Sequence, residues 1–340
     1  MLPDSKDEDN MYLKHFKLQE EPFSTTPDPR FLYKSEVHIE ALDRLTTSVN
    51  MRRGINAIIG EPGLGKSTLI RTMLKGLQKS VQFAWVFNTT LNARDLVKYI
   101  CLDFGLHPKG LDVSELLIEL YTFLIRSHEQ GKVSLLIIDE AQNLAPAVLE
   151  EIRQLSNLET LSKKLLQVIL SGQPALDAHL ELPELRQLKQ RISLKAVLKR
   201  LGLGDTKNYI RHRLQVAGSP REDLFSEAAM DIVHKITDGV PRLINQVCDN
   251  ALLSAYKRGL VQVDSILVME LLEKRIVMSA GAAPVLASER KDPSVNQYQI
   301  VANIAPKQPA TKSFDKTQFA AVPDSEFDSL DLLQLAIQSS

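Results

Sequence analysis

A short stretch rich in glycine contains one lysine followed by two hydroxyl side chains: Gly60, Glu61, Pro62, Gly63, Leu64, Gly65, Lys66, Ser67 and Thr68. Gly63 and Gly65 tolerate positive φ and let backbone N–H groups approach phosphate oxygens. Lys66 is expected to reach the β- and γ-phosphates, and the Ser67 hydroxyl is expected to ligate Mg²⁺. The spacing of these residue types predicts a loop that binds a nucleoside triphosphate, with ATP and Mg²⁺ as the expected cofactors.

The elements on either side of this loop are those that a phosphate-binding loop requires. The apolar run at 55–59 precedes it as a predicted strand, and the helix-compatible run at 69–74 follows it. The first turn of that helix adds its positive dipole end to the phosphate site. This context disfavours the alternative interpretation, a glycine-rich turn that only ends a strand.

Two adjacent carboxylates follow a second apolar run. Residues 133–138 are typical of a strand buried on both faces, and Asp139 and Glu140 come directly after it. Because open α/β sheets bind ligands at the carboxyl ends of their strands, we expect this pair at the ligand-binding edge. Asp139 is predicted to hold Mg²⁺, and Glu140 to polarise the attacking water as a general base. The alternative is that the pair caps a helix N-terminus.

The strands that must position these residues alternate with helical patterns. Four apolar runs are predicted as strands: 55–59, 81–87, 133–138 and 165–170. Helical spacing at 93–104 and 114–128 makes successive β-α units, which predicts an α/β fold with a mostly parallel sheet. A further strand is expected directly after Arg191.

From Gly202 onward the pattern becomes helical. Helices are predicted at 205–215, 226–237, 241–257 and 263–275. Asp205 and Ser226 are expected to cap their helices, Gly239 to end the second and Pro241 to begin the third. These segments predict a small helical lid after the α/β domain.

Composition narrows the classes of function. The chain has 340 residues, of which 44% are hydrophobic, and a formal charge of −1, so no global basic field points to nucleic acid. Cys101 and Cys248 lie far apart without a C-x-x-C spacing, which predicts reduced core thiols in a cytosolic protein. No run approaches about 18 apolar residues and the N-terminus is acidic, so neither membrane spanning nor export is expected.

The composition changes again beyond Met278. Ala, Ser, Pro, Gln and Lys dominate there, which predicts a disordered tail over 278–340. Near its end an acidic flank adjoins a leucine-rich stretch, and 327–337 is predicted to form a helix that docks on a protein partner. The alternative is a frayed terminus that binds nothing.

Several stretches together resemble the AAA+ ATPases of the general secretion pathway A type, the ExeA-like family. The matching stretches are 11–18, 21–23, 26–33, 40–42 and 239–242, together with His38, and the resemblance runs from about Met11 to Arg275. It implies an N-terminal segment at 1–34, an AAA+ α/β ATPase domain at 35–201 and a C-terminal helical lid at 202–277. The extra strand at 81–87 also resembles the additional-strand class of P-loop ATPases.

This resemblance also implies roles for residues outside the glycine-rich loop. Residues 27–33 would lie near the adenine, and Gln173, or in its place Ser171, would sense the γ-phosphate. Arg191, or in its place Arg186, would be an arginine finger that acts on a neighbouring subunit. Arg242 of the sequence Gly-Val-Pro-Arg would point its guanidinium at the phosphates from the first turn of a helix.

The function implied is a Mg²⁺-dependent ATPase that oligomerises through neighbouring nucleotide sites. It would remodel or regulate a secretion or pilus assembly from the cytoplasm, and partners would place it at the inner membrane. The ATPase core also resembles transposition regulators of the TniB and TnsC kind, which implies an alternative: a DNA-associated ATPase that controls a transposase or recombinase. That alternative needs basic residues facing DNA, for which Arg52, Arg53, Lys163 and Lys164 are the candidates.

Overall fold

The computed structural model describes residues 5–77, 80–87, 91–107, 112–160 and 163–273. The predicted tail at 278–340 and its docking helix at 327–337 lie outside the described residues. The last two positions of the helix predicted at 263–275 lie outside them as well.

Within the described residues, five strands form one sheet: β1 (Ile55–Ile59), β2 (Val81–Val86), β3 (Val133–Ile138), β4 (Leu166–Gly172) and β5 (Ile192–Val197). Every neighbouring pair is parallel, and the spatial order is β2-β3-β4-β1-β5. The three central strands are buried along their whole length, as expected where helices cover both faces. The predicted α/β fold with a parallel sheet is confirmed.

Strand bounds follow the hydrogen-bonded ladder rather than the apolar runs. β1 and β3 have the predicted bounds, whereas β2 ends at Val86, one residue before the predicted end. β4 continues beyond the predicted end at residue 170 because Gly172 pairs with Ile59 of β1. The Gly172 carbonyl also accepts a hydrogen bond from Gly60 N–H at 3.1 Å, which ties the end of β4 to the glycine-rich loop.

The helices, in chain order, are α1 (Ser5–Phe16), α2 (Glu36–Asn50), α3 (Lys66–Leu77), α4 (Ala93–Asp103), α5 (Val113–Glu129), α6 (Pro146–Leu155), α7 (Pro174–Leu180), α8 (Arg186–Arg191), α9 (Leu203–Val216), α10 (Glu227–Thr237), α11 (Pro241–Lys257) and α12 (Ser265–Glu273). Short 3₁₀ turns lie at Pro29–Phe31, Ala141–Asn143 and Pro183–Leu185. Among the described helices, none combines the length and apolar content that crossing a bilayer requires.

Two apolar cores cover the faces of the sheet, and β3 contributes to both. Leu136 and Ile138 belong to the core formed with α4, α5 and α6. Leu135 and Ile137 belong to the core formed with α2 and α3. This alternation follows from the two-residue repeat of a strand, so a side chain directly after Ile138 is expected on the α3 face.

A third core joins the N-terminal segment to the lid. It includes Tyr12, Phe16, Phe23 and Phe31 together with apolar side chains of α9 to α12. Phe23 is 1% exposed, and its ring meets that of Phe225 edge-on with a centroid separation of 5.9 Å. The N-terminal segment is therefore packed on the lid.

Lid helices begin and end largely as the sequence predicts. Ser226 caps α10 by accepting a hydrogen bond from Ala229 N–H, and α11 begins at Pro241. The predicted cap at Asp205 is wrong: α9 begins two residues earlier, after Gly202. Asp205 instead accepts a hydrogen bond from the Tyr33 hydroxyl at 2.9 Å, because the N-terminal segment passes across α9.

We expect Phe23→Ala to lower the free energy of unfolding by about 3–5 kcal/mol, because it opens a cavity between the N-terminal segment and the lid. Phe83→Ala is the matched control, since Phe83 is 45% exposed on the edge strand β2. It should change the free energy by less than about 1 kcal/mol. Urea titration followed by circular dichroism measures both, and equal losses would contradict the assignment of Phe23 to a core.

Candidate functional site

The glycine-rich loop connects β1 to α3, as its sequence context predicts. It runs from Gly60 to Gly65, and Lys66 begins the helix. Gly63 and Gly65 have φ angles of +85° and +90°, a region that favours glycine. Leu64 is 1% exposed and anchors the loop in the core beneath it. The turn therefore presents backbone N–H groups at the start of α3.

The lid contacts this loop directly. Arg242, in the first turn of α11, donates its backbone N–H to the carbonyl of Gly63 at 3.2 Å. A β-carbon at Gly63 would lie 2.6 Å from the β-carbon of Arg242, closer than such atoms approach. Gly63 is thus required for close contact with the lid as well as for its φ angle.

Lys66 is buried beneath the loop. Its side chain is 6% exposed, and Nζ donates to the carbonyls of Gly60 at 2.7 Å and Glu61 at 3.2 Å. Burial lowers the pKa of Lys66, while the charges of Glu140 and Asp139 oppose that shift. The ammonium group therefore lies within the electrostatic range of both carboxylates.

Asp139 lies between two hydroxyl groups. Ser67 Oγ donates to Oδ2 of Asp139 at 3.0 Å, and Ser171 Oγ donates to Oδ1 at 2.8 Å. Asp139 faces α3 because it continues the Leu135 and Ile137 face of β3. The hydroxyl and carboxylate oxygens suit Mg²⁺, which prefers oxygen ligands.

Glu140 is held by two side-chain amides. Gln142 Nε2 and Gln173 Nε2 both donate to Oε2 of Glu140, at 2.6 and 2.9 Å. Gln142 also accepts a hydrogen bond from Gln173 N–H at 2.9 Å. Glu140 has a φ of +52° and makes no side-chain cap hydrogen bond to the 3₁₀ turn that follows it. Its carboxylate is therefore oriented by side chains from the ends of two strands.

The glycine-rich loop borders a cavity of about 410 Å³. Its wall comprises the loop, the N-terminal segment and the lid, with Pro27, Asp28, Phe31, Leu32 and Tyr33 among its lining residues. Pro62, Gly63, Leu64, Gly65, Lys66, Ser67, Thr68, Glu140 and Arg242 line it as well. Most predicted phosphate-site residues and most of the predicted adenine segment thus meet around one cavity.

One buried arginine ties the lid wall of this cavity to the N-terminal wall. Arg213 is 5% exposed and donates to the carbonyls of Pro22 and Ser24. It also donates to the Tyr209 hydroxyl at 2.9 Å, and that hydroxyl donates to Asn245 Oδ1 at 2.8 Å. This chain of hydrogen bonds sets the orientation of the Asn245 amide, which lines the cavity.

Arg191 and Arg186 do not line the cavity of their own chain. Arg191 ends α8 and is exposed, directly before β5. Because all strands are parallel, the start of β5 lies at the sheet edge opposite the glycine-rich loop. The predicted finger Arg191 is therefore not part of the phosphate site of its own chain.

The described residues fit the groups that the sequence predicts. Two glycines of positive φ, one of them unable to accept a β-carbon, shape a loop for phosphate oxygens. The oxygens of Ser67 and Asp139 lie 3.0 Å apart beside Lys66, as a shared Mg²⁺ site requires. The volume of about 410 Å³ is in the range of small-molecule sites.

Sequence patterns do not predict four of the polar residues described above. Gln142, Tyr209, Arg213 and Asn245 carry no motif of their own. Two spacings are informative in retrospect: Tyr209 and Arg213 are four residues apart on α9, and Asn245 lies three residues after Arg242 on α11. Gln142 has no comparable signal, because its role depends on the neighbouring end of β4.

Comparison with known proteins supports this architecture. Residues 49–180 match the model of the AAA domain family. The chain is 44% identical over 254 residues to general secretion pathway protein A of Aeromonas hydrophila. The aligned region covers 73% of this chain and 46% of that protein. The chain thus spans less than half the length of that relative.

Solved structures show the same fold at low sequence identity. The ORC2 protein of Aeropyrum pernix has a TM-score of 0.59 and 19% identity, covering 75% of this chain and 72% of that one. Drosophila ORC bound to DNA has a TM-score of 0.60 and 16% identity, covering 81% and 68%.

The parallel sheet, the loop geometry and these matches lead to one conclusion. The chain contains an AAA domain, has the AAA+ P-loop fold and is related over 254 residues to general secretion pathway protein A.

Proposed function

We propose that this protein binds ATP with Mg²⁺ and hydrolyses the bond to the γ-phosphate. One observation carries the proposal: Ser67 Oγ on α3 lies 3.0 Å from Asp139 at the end of β3, with buried Lys66 and the Glu140 carboxylate beside the same cavity. Phosphoryl transfer to water requires a cation, oxygen ligands for a metal ion and a general base, and this group of residues offers all three.

The loop and the lid bind the triphosphate. Backbone N–H groups around Gly63 and Gly65 and the ammonium of Lys66 would face its β- and γ-oxygens. Arg242 adds a planar cation from the lid side of the loop. The base would lie between residues 27–33 and the Asn245 amide, which line the cavity.

The acidic pair divides the remaining work. Asp139 and Ser67 would hold Mg²⁺, which would neutralise charge that develops on the phosphates. Glu140 takes a proton from the attacking water. The oxygen of that water bonds to the γ-phosphorus, and the bridging oxygen leaves on ADP. Gln142 and Gln173 keep the Glu140 carboxylate oriented during this transfer. We also propose that Gln173, or in its place Ser171 beside Asp139, senses the γ-phosphate.

Arg191 completes the site of a neighbouring subunit. It lies at the sheet edge opposite its own cavity, so it can reach nucleotide only in an oligomer. There its guanidinium would stabilise transition-state charge, a contribution that is worth about 10³–10⁵ in turnover where it has been measured. Arg186, five residues earlier at the start of α8, is the alternative.

The setting that we propose follows the relative named for the general secretion pathway. The ATPase would act in the cytoplasm, at the inner membrane through its partners, and remodel or regulate a secretion-type assembly. The stretch at 327–337 is proposed to contact that protein partner.

Lys66→Ala and Glu140→Gln should separate binding from turnover. Lys66→Ala should abolish ATP binding because the buried cation facing the phosphates is lost. Glu140→Gln should bind ATP as the wild type does but lose turnover by about 10²–10⁴, because no base accepts the proton. Lys75→Ala, an exposed position on the same helix, is the control. Titration with a fluorescent ATP analogue and phosphate release measure both quantities; equal ATP affinity in the two variants would refute the assignment.

Mixing two inactive variants tests the role of Arg191. Subunits with Arg191→Ala and subunits with Glu140→Gln should together regain part of the ATPase activity, because some interfaces then pair an intact Glu140 with an intact Arg191. Arg186→Ala in place of Arg191→Ala decides between the two candidate fingers, and it should stay active by itself if Arg191 is the finger. Phosphate release from mixtures shown to co-assemble provides the measurement. Absence of activity in such mixtures would contradict action in trans.

A DNA-associated ATPase is the second candidate, and one observation favours it. Arg52 Nη2 donates to the Lys132 carbonyl at 2.6 Å, and burial with the charges of Arg52 and Lys163 lowers the pKa of His128. These cations therefore cluster at the amino edge of the sheet, where Arg53 also lies. Among the described residues, neither Arg53 nor Lys163 forms an ion pair. Drosophila ORC, which shares the fold, is bound to DNA.

If this edge binds DNA, the double variant Arg53→Glu with Lys163→Glu should weaken binding for all sequences. The slope of log affinity against log salt should fall by about two, one for each lost phosphate contact. Lys235→Glu, an exposed change on α10, is the control. Fluorescence anisotropy with a labelled duplex at several salt concentrations gives the slope. Duplex binding that both variants leave unchanged would remove support for this candidate.

A further inference from the structure

We propose that His38 is a positioning residue that holds the Leu64–Gly65 peptide so that the Gly65 N–H faces the bound phosphates. This inference rests on the proposed nucleotide binding and assigns a role to a residue outside the glycine-rich loop. His38 lies on α2, 26 residues before Leu64, and no loop motif includes it.

The His38 imidazole is buried against the loop. It is 5% exposed, and Nε2 lies 3.1 Å from the carbonyl oxygen of Leu64. Nδ1 lies 2.7 Å from Ser35 Oγ, and Ser35 also caps α2. A β-carbon at Gly65 would lie 3.7 Å from Nε2, so the ring lies close to Gly65 as well as to the Leu64 carbonyl.

Hydrogen-bond chemistry determines which ring nitrogen carries the proton. A carbonyl oxygen can only accept, so Nε2 must donate to Leu64. Nδ1 then accepts the hydrogen bond of the Ser35 hydroxyl. Burial lowers the pKa of His38, which favours this neutral form, although the Leu64 hydrogen bond and the charge of Asp205 oppose the shift. The lone pair therefore faces Ser35, and His38 cannot act as a base toward substrate.

Because the peptide group is planar, the hydrogen bond from His38 to Leu64 fixes the orientation of the Leu64–Gly65 peptide. In a trans peptide the C=O and N–H point in opposite directions, so holding the Leu64 carbonyl toward His38 directs the Gly65 N–H away from it. Within the described chain, that N–H donates to no protein acceptor. Glycines on both sides of Leu64 leave this peptide free to rotate at little steric cost. His38 supplies the restraint that the glycines lack.

Variants at His38 test this role through nucleotide affinity. His38→Leu fills most of the space of the imidazole ring with an apolar side chain and removes the hydrogen-bond donor. ATP and ADP should therefore both bind about tenfold more weakly. His38→Gln should restore affinity to within about threefold of the wild type, because its amide donates to Leu64 and accepts from Ser35. Turnover at saturating ATP should change less than KM, since the contact acts on binding.

A spectroscopic measurement separates this role from a loss of folding. The sequence contains three Leu–Gly peptides, so carbonyl-¹³C leucine with ¹⁵N glycine selects few amide signals, one of them that of Gly65. In the wild type and in His38→Gln, ADP should change the chemical shift of the Gly65 amide. In His38→Leu this change should be lost, while the other two amide signals keep their wild-type positions. Those two signals and thermal melting verify that each variant is folded.

Two results would overturn the inference, and they differ from failure of the proposed function. Folded His38→Leu that binds ATP and ADP like the wild type would show that His38 does not position the peptide. Failure of His38→Gln to rescue affinity would show that the donated hydrogen bond is not what matters. Wild-type protein that binds neither nucleotide would overturn the proposed function itself, together with the role of His38 that depends on it.

Discussion

The site depends on the close approach of two backbones, that of Gly63 in the glycine-rich loop and that of Arg242 at the start of α11. The Arg242 N–H donates to the Gly63 carbonyl, and no β-carbon fits between them. A second close approach lies at the base of the lid, where a β-carbon at Gly239 would lie 2.0 Å from the Leu201 carbonyl oxygen. These two contacts bring the lid against the loop and so create the cavity between them.

The N-terminal segment follows the lid because the two share one core. Arg213 binds two carbonyls of that segment, and its guanidinium lies 4.7 Å from the centre of the Phe31 ring. The wall that we assign to the base is therefore built on lid contacts, whereas the phosphate loop is built on the sheet. A rotation of the lid would move the base side of the cavity relative to the phosphate side, which is a physical route from nucleotide state to shape.

The two carboxylates after β3 are distinguished by what donates to them. Asp139 receives hydroxyl groups from α3 and β4, and these oxygens can turn toward a cation. Glu140 receives two amide N–H groups, which hold its carboxylate without offering a metal ligand. Its positive φ costs of order 1–3 kcal/mol, and such strain is typical of functional positions. Neighbouring acids of the same chemical type thus have different surroundings.

Local chemistry in the sequence determined the parts of this protein whose partners lie nearby in the chain. Continuous apolar runs predicted the buried strands, glycine spacing predicted the phosphate loop, and the carboxylates after residue 138 followed from strand ends in parallel sheets. Pro241 was predicted to begin α11 in the same way, because proline suits the first turn of a helix, whereas the role of Arg242 came from the family resemblance.

Tertiary structure decided everything that depends on residues far apart in the chain. Arg213 meets Pro22 across 191 positions, and Asp205 meets Tyr33 across 172, so neither contact leaves a local pattern. His38 and Gln142 acquire their partners only when α2 packs on the loop and β4 lies beside β3. The sequence by itself therefore determined the strands, the phosphate loop and the acidic pair, because short-range spacing encodes them. Only the folded chain decided which side chains orient the phosphate loop and the acidic pair, because a hydrogen bond depends on distance in space and not on separation in sequence.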